Sequence, residues 1–88
     1  MFKKLIEKQI NKLSKKDIID FAYKNNICLT DNETNIIYNY IKSDWETIIY
    51  SNHYLVLDKV KNDINPTTYK KIEELIILYK QKYKNYLI

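Results

Sequence analysis

The chain of 88 residues contains no glycine, one proline and one cysteine. Without glycine, tight hairpin turns that need positive φ and glycine-rich loops that cradle phosphate are both disfavoured. The single cysteine, Cys28, cannot form an internal disulfide or a cysteine-based zinc site, which fits a reducing compartment. Because it lies between Ile27 and Leu29, we expect it to be a small buried apolar residue.

Arginine is also absent, so all fifteen basic residues are lysines, and the net charge is +4. The forked guanidinium that favours bidentate phosphate and guanine recognition is therefore missing. Lys, Asn, Ile and Tyr make up 49 of the 88 residues, and their AT-rich codons are sufficient to explain the lysine bias. Charge is unevenly distributed: residues 1–16 carry +5, residues 17–58 carry −5 and residues 59–88 carry +4. If the basic terminal segments pack on the acidic middle segment, much of their opposite charge is neutralised within the domain.

No apolar run approaches the length of a membrane span. The N-terminal segment begins like a signal peptide, but Glu7, Lys8 and Gln9 interrupt any apolar core. An apolar fraction of 45% is typical of a globular protein, and a chain of this length has room for one core. We expect a single cytoplasmic domain spanning residues 1–88.

Apolar residues recur at helical spacing, and capping residues separate the resulting segments. Ser14 and Thr30 each begin a capping box, completed by Asp17 and Glu33. The pattern predicts an all-α fold, a compact bundle of five to six short helices with a long final helix. The predicted segments are 1–13, 14–24, 30–43, 45–49, 53–62 and 65–88.

The final helix is the most strongly amphipathic segment, and we expect it to be the platform on which the other helices pack. Asn65 is a good N-cap and Pro66 suits the first helical position. One face carries the apolar residues Tyr69, Ile72, Leu75, Ile76, Tyr79, Tyr83, Tyr86 and Leu87.

The order of helix starts and apolar positions resembles a known family. The residues that carry this resemblance are Ser14, Asp17, Ile18, Ile19, Ala22, Ile27, Leu29, Thr30, Glu33, Ile36, Ile41, Lys42, Asn65, Pro66, Tyr69, Ile72 and Leu75. Across residues 10–80 the chain resembles the YqfT-like family of short uncharacterised helical proteins of Gram-positive bacteria. The resemblance implies an all-helical fold and no established activity.

Catalytic and metal-binding constellations are missing from the sequence. His53 is the only histidine and has no partner motif, so we expect it to cap a helix or lie at the surface. The acidic pairs Asp17 with Asp20 and Asp31 with Glu33 lie in first helical turns, where the helix dipole favours negative charge. We expect no enzyme activity, cofactor, metal or small-molecule substrate.

The two helices around residues 25–30 have the outline of a helix-turn-helix. In such a motif the start of the second helix enters the major groove. Here Asp31 and Glu33 occupy that start, and phosphate would repel them. The sequence does not favour DNA reading by this pair.

The strongest functional signal is apolar surface away from the main stripe of the final helix. Ile77 lies among polar residues on the opposite face, and Leu78 lies near Lys82. Trp45, the single tryptophan, is either a core anchor or an interface residue. We hypothesise that Trp45, Ile77, Leu78 and Lys82 bind a partner protein or a second copy of the chain.

The alternative is non-specific nucleic-acid binding through lysines near the two ends. The lysines concerned are Lys3, Lys4, Lys8, Lys12, Lys15, Lys16, Lys70 and Lys71. A basic amphipathic first helix could also lie on an anionic membrane, but we expect it to cover the domain's own core. Membrane association is the least favoured of these interactions.

Overall fold

A computed structural model describes residues 2–82, with the side chain of Phe2 excepted, and this part is all-α with no strand. The radius of gyration, 12.5 Å, is close to the value of about 12 Å typical of a globule of this length. The predicted fold class is therefore confirmed. The helices are α1 (Phe2–Lys12), α2 (Lys15–Lys24), α3 (Asp31–Tyr50), α4 (Tyr54–Val60) and α5 (Pro66–Lys82).

Both predicted capping boxes are present. The Ser14 hydroxyl accepts a hydrogen bond from the Asp17 backbone N–H at 3.1 Å, and the Asp17 carboxylate accepts one from the Ser14 N–H at 2.9 Å. The same reciprocal pair joins Thr30 and Glu33 at 3.1 Å in both directions. These bonds satisfy backbone donors that have no partner inside the helix, and they fix the starts of α2 and α3.

Helix α2 ends in a Schellman motif. Asn26 adopts φ 63°, the left-handed conformation that asparagine tolerates better than other non-glycine residues. The N–H of Ile27 donates to the carbonyl of Ala22 at 2.8 Å, and the N–H of Asn26 donates to the carbonyl of Tyr23 at 3.1 Å. This turn points Ile27 into the core, where it is buried.

Helix α3 consists of two helical segments that meet at a kink. The sequence predicts separate helices over 30–43 and 45–49, and the 20-residue span of α3 joins two helices across a kink. Asp44 lies at the kink with φ −123° and ψ 18°, outside the helical region. The predicted break at residue 44 is therefore confirmed, although the two segments follow each other without an intervening loop.

The buried core lies between α3, α4 and the segment leading into α5. Leu57, Val60 and Ile64 form its centre and are all buried, as the helical spacing predicts for Leu57 and Val60. Six partly buried residues pack against this centre: Ile36, Ile37, Tyr40, Tyr69, Ile72 and Ile76.

Three side chains that the sequence predicts to be buried are exposed. Helical spacing places Leu5 of the first predicted segment and Phe21 of the second on inward faces, yet Phe21 is 48% exposed and Leu5 is also exposed. Cys28 is exposed rather than buried, because the turn after α2 directs Ile27 inward and leaves its neighbour facing outward. Periodicity identifies the apolar face of a helix but not how completely a neighbouring element covers it.

The final helix begins as predicted, with the Asn65 side chain accepting a hydrogen bond from the Thr67 N–H at 2.9 Å. It is described to Lys82, and the predicted continuation over 83–88, with Tyr83, Tyr86 and Leu87, lies outside the described residues. None of its described residues is fully buried. The expectation that α5 is the platform of the fold is therefore wrong: α4 and Ile64 supply the buried centre, and α3 and α5 each pack three partly buried residues against it.

Candidate functional site: an open apolar cavity beside the last helix

A large cavity lies among the five helices, and its walls are almost entirely apolar. Its volume is about 930 Å³, and every helix contributes side chains to it, among them Ile6, Phe21, Ile41, Val60 and Ile76. The volume falls at the upper end of the range of about 300–1,000 Å³ found for small-molecule sites. Since the cavity opens to solvent, its walls are the incompletely covered side of the core.

Water is a poor occupant for this space. A cavity of about 930 Å³ has room for many waters. An ordered water needs two to four polar partners, and walls of this composition offer few. Burying the walls under an apolar group would therefore be favourable, at about 25 cal/mol for each Å² removed from water.

Two charged side chains line the cavity, Asp17 and Lys80. The carboxylate of Asp17 already accepts the backbone N–H of Ser14, and this bond holds the pKa of Asp17 below its usual range. Lys80 comes from the last described turn of α5, and its ammonium donates to the carbonyl of Ser51 at 2.7 Å. Burial lowers the pKa of Lys80, and among the described residues no carboxylate forms an ion pair with it.

His53 lies beside Lys80 at the turn between α3 and α4. The Lys80 ammonium is 3.4 Å from His53 Nδ1, so Nδ1 accepts the bond and the proton of the neutral ring resides on Nε2. That Nε2 atom is buried without a hydrogen-bond partner. Burial, and then the positive charge of Lys80, lower the pKa of His53, while Glu73 opposes the shift. His53 occupies the N-cap position of α4, but its side chain makes no capping bond.

The predicted partner-binding residues on α5 lie outside the cavity. Leu78 is 59% exposed, Ile77 is half-buried, and Lys82 is exposed in the last described turn. The apolar walls of the cavity are formed instead by Tyr69, Ile72, Leu75, Ile76 and Tyr79 of the same helix. Helix α5 thus carries an inner apolar face toward the cavity and further apolar side chains directed away from it.

Trp45 is a core residue. It is 8% exposed, and its ring packs edge-on against Tyr50 with the centroids 6.4 Å apart. Of the two interpretations open from the sequence, core anchor or interface residue, the structure shows the first. The indole presents no free surface to a partner in this conformation.

The lysines proposed for nucleic-acid binding differ in their surroundings. Lys3 forms an ion pair with Glu46 at 2.8 Å, and the ammonium of Lys15 lies 5.5 Å from the centre of the Tyr38 ring. Lys71 donates to the carbonyl of Asn26 at 3.0 Å. The others are exposed, and Lys4, Lys8 and Lys12 form a stripe at four-residue spacing on α1, with Lys16 on α2 and Lys70 on α5.

One member of each acidic pair considered for catalysis, Asp17 and Glu33, caps a helix, whereas Asp20 and Asp31 are exposed and Asp20 lies beyond the first turn of α2. Glu33 is buried, and its second carboxylate oxygen accepts the backbone N–H of Asn65 at 2.9 Å, so one side chain joins the starts of α3 and α5. Burial alone would raise the pKa of Glu33, but the donors at Thr30 and Asn65 outweigh it and lower the pKa. No group of three or more metal-ligating side chains occurs within residues 2–82.

Sequence reasoning missed two lysines that reach across the fold. Lys42 of α3 donates to the carbonyls of Ile10 and Asn11, and so holds the end of α1. Lys80 reaches Ser51 in the same way. Both lysines lie on helix faces that also carry apolar residues, and this position was the one sequence feature that could have indicated a structural role. Their acceptors are backbone carbonyls, which have no sequence signature.

Comparison with known proteins identifies a family without assigning an activity. No described helix is long and apolar enough to cross a membrane. No curated protein and no solved structure gives a significant match. A family model with the description "Protein of unknown function (DUF2624)" matches residues 1–80. Since that match covers most of the chain, the protein belongs to the DUF2624 family of proteins of unknown function.

Proposed function

We propose that this protein is a small non-enzymatic interaction module that binds a partner protein, or a second copy of itself, through the outward side of α5. The contact residues are Leu78, Lys82 and the exposed part of Ile77. We place the module in the cytoplasm. We further propose that its relatives include the YqfT-like proteins of Gram-positive bacteria.

The observation that carries this proposal is a run of five apolar residues over positions 75–79 of α5. At about 100° per residue, five consecutive residues pass completely around a helix. A helix that is apolar all round is normally buried, yet α5 has no buried residue in its described part. The bundle occupies one side of the run, which leaves Leu78 for a partner.

Leu78→Glu tests the proposal more cleanly than Ile77→Glu, because the half-buried Ile77 also contributes to the domain's own packing. Thr67→Glu is the matched control: it adds the same charge to an exposed position of the same helix, about three turns away from Leu78. We expect Leu78→Glu to abolish partner capture from nuclease-treated lysate, or to reduce the solution mass to that of a monomer. Thr67→Glu should do neither. Unchanged mass and unchanged capture in Leu78→Glu would remove the outward side of α5 as an interface.

A second candidate function, non-specific nucleic-acid binding, is favoured by the exposed stripe of Lys4, Lys8 and Lys12. Phosphate binding at such a stripe releases counterions, so affinity should fall steeply as salt rises. Fluorescence anisotropy with labelled single- and double-stranded oligonucleotides measures this directly. Replacing the three lysines by glutamine should reduce both the affinity and the salt slope. Absence of binding at low salt would eliminate the candidate.

A further inference from the structure

We propose that the cavity is a binding site for a single-chain fatty acid, with the alkyl chain against the apolar walls and the carboxylate at Lys80. This site is separate from the outward side of α5. The fatty acid would cover the inner apolar face of α5, to which the proposed partner interaction assigns no contact.

The alkyl part of the ligand follows from the shape and composition of the cavity. A volume of about 930 Å³ exceeds what a buried domain core leaves empty, since interiors contain few voids larger than a water molecule. Ile72 and Ile76 of α5 line it together with Phe21 of α2 and Ile41 of α3, and the Phe21 ring lies 5.8 Å from the Tyr79 ring of α5. A flexible chain of methylene groups is apolar throughout and can follow such walls.

The head group follows from Lys80. Its ammonium has three protons, of which one is donated to the Ser51 carbonyl and a second is directed at His53 Nδ1. The third is left for a ligand, and the positive charge has no carboxylate partner within residues 2–82. One monovalent carboxylate matches one uncompensated lysine, and it would form a charge-assisted hydrogen bond at the polar end of an apolar site.

His53 strengthens the choice of an anion. The buried Nε2–H beside Lys80 lacks an acceptor, although the carboxylate of Glu73 is close enough to act on the His53 ring. A ligand carboxylate at Lys80 would compensate the ammonium, with which Glu73 forms no ion pair. The other charged residue at the wall, Asp17, is already bonded to the Ser14 backbone at the start of α2.

The experiment is calorimetric titration of the full chain with octanoate, decanoate and dodecanoate below their micelle concentrations. Each added methylene should tighten binding about fourfold, which corresponds to about 0.8 kcal/mol per buried CH₂. Dodecyltrimethylammonium, with the same tail and the opposite charge, should bind at least tenfold more weakly than dodecanoate.

Two variants separate the head group from the tail. Lys80→Met keeps the length of the side chain without its charge, and it should weaken dodecanoate at least tenfold. Lys70→Met, the same change at an exposed position of α5 outside the cavity, should leave the affinity unchanged. Leu29→Trp adds bulk to the cavity wall from the connector before α3, and it should reduce binding of every chain length while helical content stays constant.

Two results would overturn the proposal. One is a calorimetric titration in which none of the three carboxylates gives a measurable heat of binding. The other is equal affinity for the anionic and cationic amphiphiles with no effect of Lys80→Met, which would mean non-specific adsorption to apolar surface. Neither result bears on the outward side of α5, because the Leu78→Glu experiment reads a different surface.

Discussion

Glu33 shows how one side chain serves two levels of structure. One carboxylate oxygen completes the capping box of α3 by accepting the Thr30 N–H. The other accepts the N–H of Asn65, 32 residues later, at the start of α5. The capping box was predictable because its partners are three residues apart. The bond to Asn65 was not, because nothing local in the sequence brings the two helix starts together.

Glu33→Gln should therefore lower the free energy of unfolding by about 1–3 kcal/mol, the cost of leaving a buried hydrogen-bonding group unsatisfied. An amide has one acceptor oxygen, so one of the two backbone donors would face an NH₂ group. Asp31→Asn is the matched control, because it removes the same charge from an exposed position of the same first turn. Urea denaturation at neutral pH compares the two, and equal midpoints would contradict a structural role for the Glu33 carboxylate.

The same bond predicts a dependence on acid. The pKa of Glu33 is held below its ordinary value of 4.5, so the folded state binds fewer protons than the unfolded state near that value. Its contribution is therefore complete above pH 4.5 and is lost as the pH falls through the lower folded pKa. The difference in stability between wild type and Glu33→Gln should narrow across that window in urea titrations, and a constant difference would contradict the assignment.

His53 should make the fold sensitive to mild acid. Its pKa lies below 6.5 because burial and the ammonium of Lys80 both disfavour a second positive charge, with Glu73 opposing. The unfolded state then binds the proton more readily, so stability falls as the pH drops through 6.5, by at most about 1.4 kcal/mol per pH unit. The Tyr54 ring, 4.4 Å from the imidazole, has its pKa raised, chiefly by its hydrogen bond to Glu73, and stays neutral in this range.

Urea unfolding at pH 7.5 and 5.5 measures the His53 effect. We expect wild type to lose stability between these values and His53→Gln to lose less, because glutamine does not titrate. Parallel pH profiles for the two proteins would show that the imidazole does not sense its cationic neighbour.

At the scale of helices, local signals predicted starts and ends better than lengths. Ser14, Thr30 and Asn65 all cap helices as the sequence indicates, because capping involves residues two or three apart. The start signal at Ser43 and Asp44 coincides with the kink at which the two helical segments of α3 meet. Whether such a signal leaves a loop between two helices or only a kink depends on packing that no local window contains.

Asn26 offers a test of the turn that places Ile27 in the core. Its φ of 63° costs a residue with a Cβ about 1–2 kcal/mol, and asparagine reduces that cost. Asn26→Ala should destabilise the fold by about 1 kcal/mol, whereas Asn26→Gly should be neutral or stabilising. Asn35→Ala, at an exposed helical position of α3, should cost little or nothing. Thermal unfolding orders the variants, and an Asn26→Gly protein less stable than Asn26→Ala would contradict the left-handed turn.

At the scale of the whole molecule, the cavity is the feature least accessible from sequence. Periodicity identified most of its walls as apolar stripes, including Ile72, Ile76 and Phe21, and assigned them to a closed core. The structure brings these stripes together but leaves a space between them. Closure depends on side-chain volumes summed over five helices, a property that no single stripe contains. The position of the Lys80 ammonium is also not predictable from local sequence, because it depends on contacts with Ser51 and His53 in a turn that is distant along the chain.

An open side implies uneven stability across the molecule, and native-state hydrogen exchange should detect it. Helix α4 contributes three buried residues in two turns, and α5 contributes none over its described length. Amides of Val56, Leu57 and Val60 should therefore exchange only on global unfolding, while those around Leu75 should exchange through smaller local openings. Exchange followed by NMR at increasing low concentrations of urea separates the two classes, since local openings depend weakly on denaturant.

At one fixed concentration, dodecanoate should slow exchange in α5 more in wild type than in Lys80→Met, because a ligand that binds only the docked helix stabilises that state in proportion to its affinity. If α5 exchanges as slowly as α4 without ligand, the helix is already held by the bundle alone, and an occupant of the cavity would not be needed to secure it.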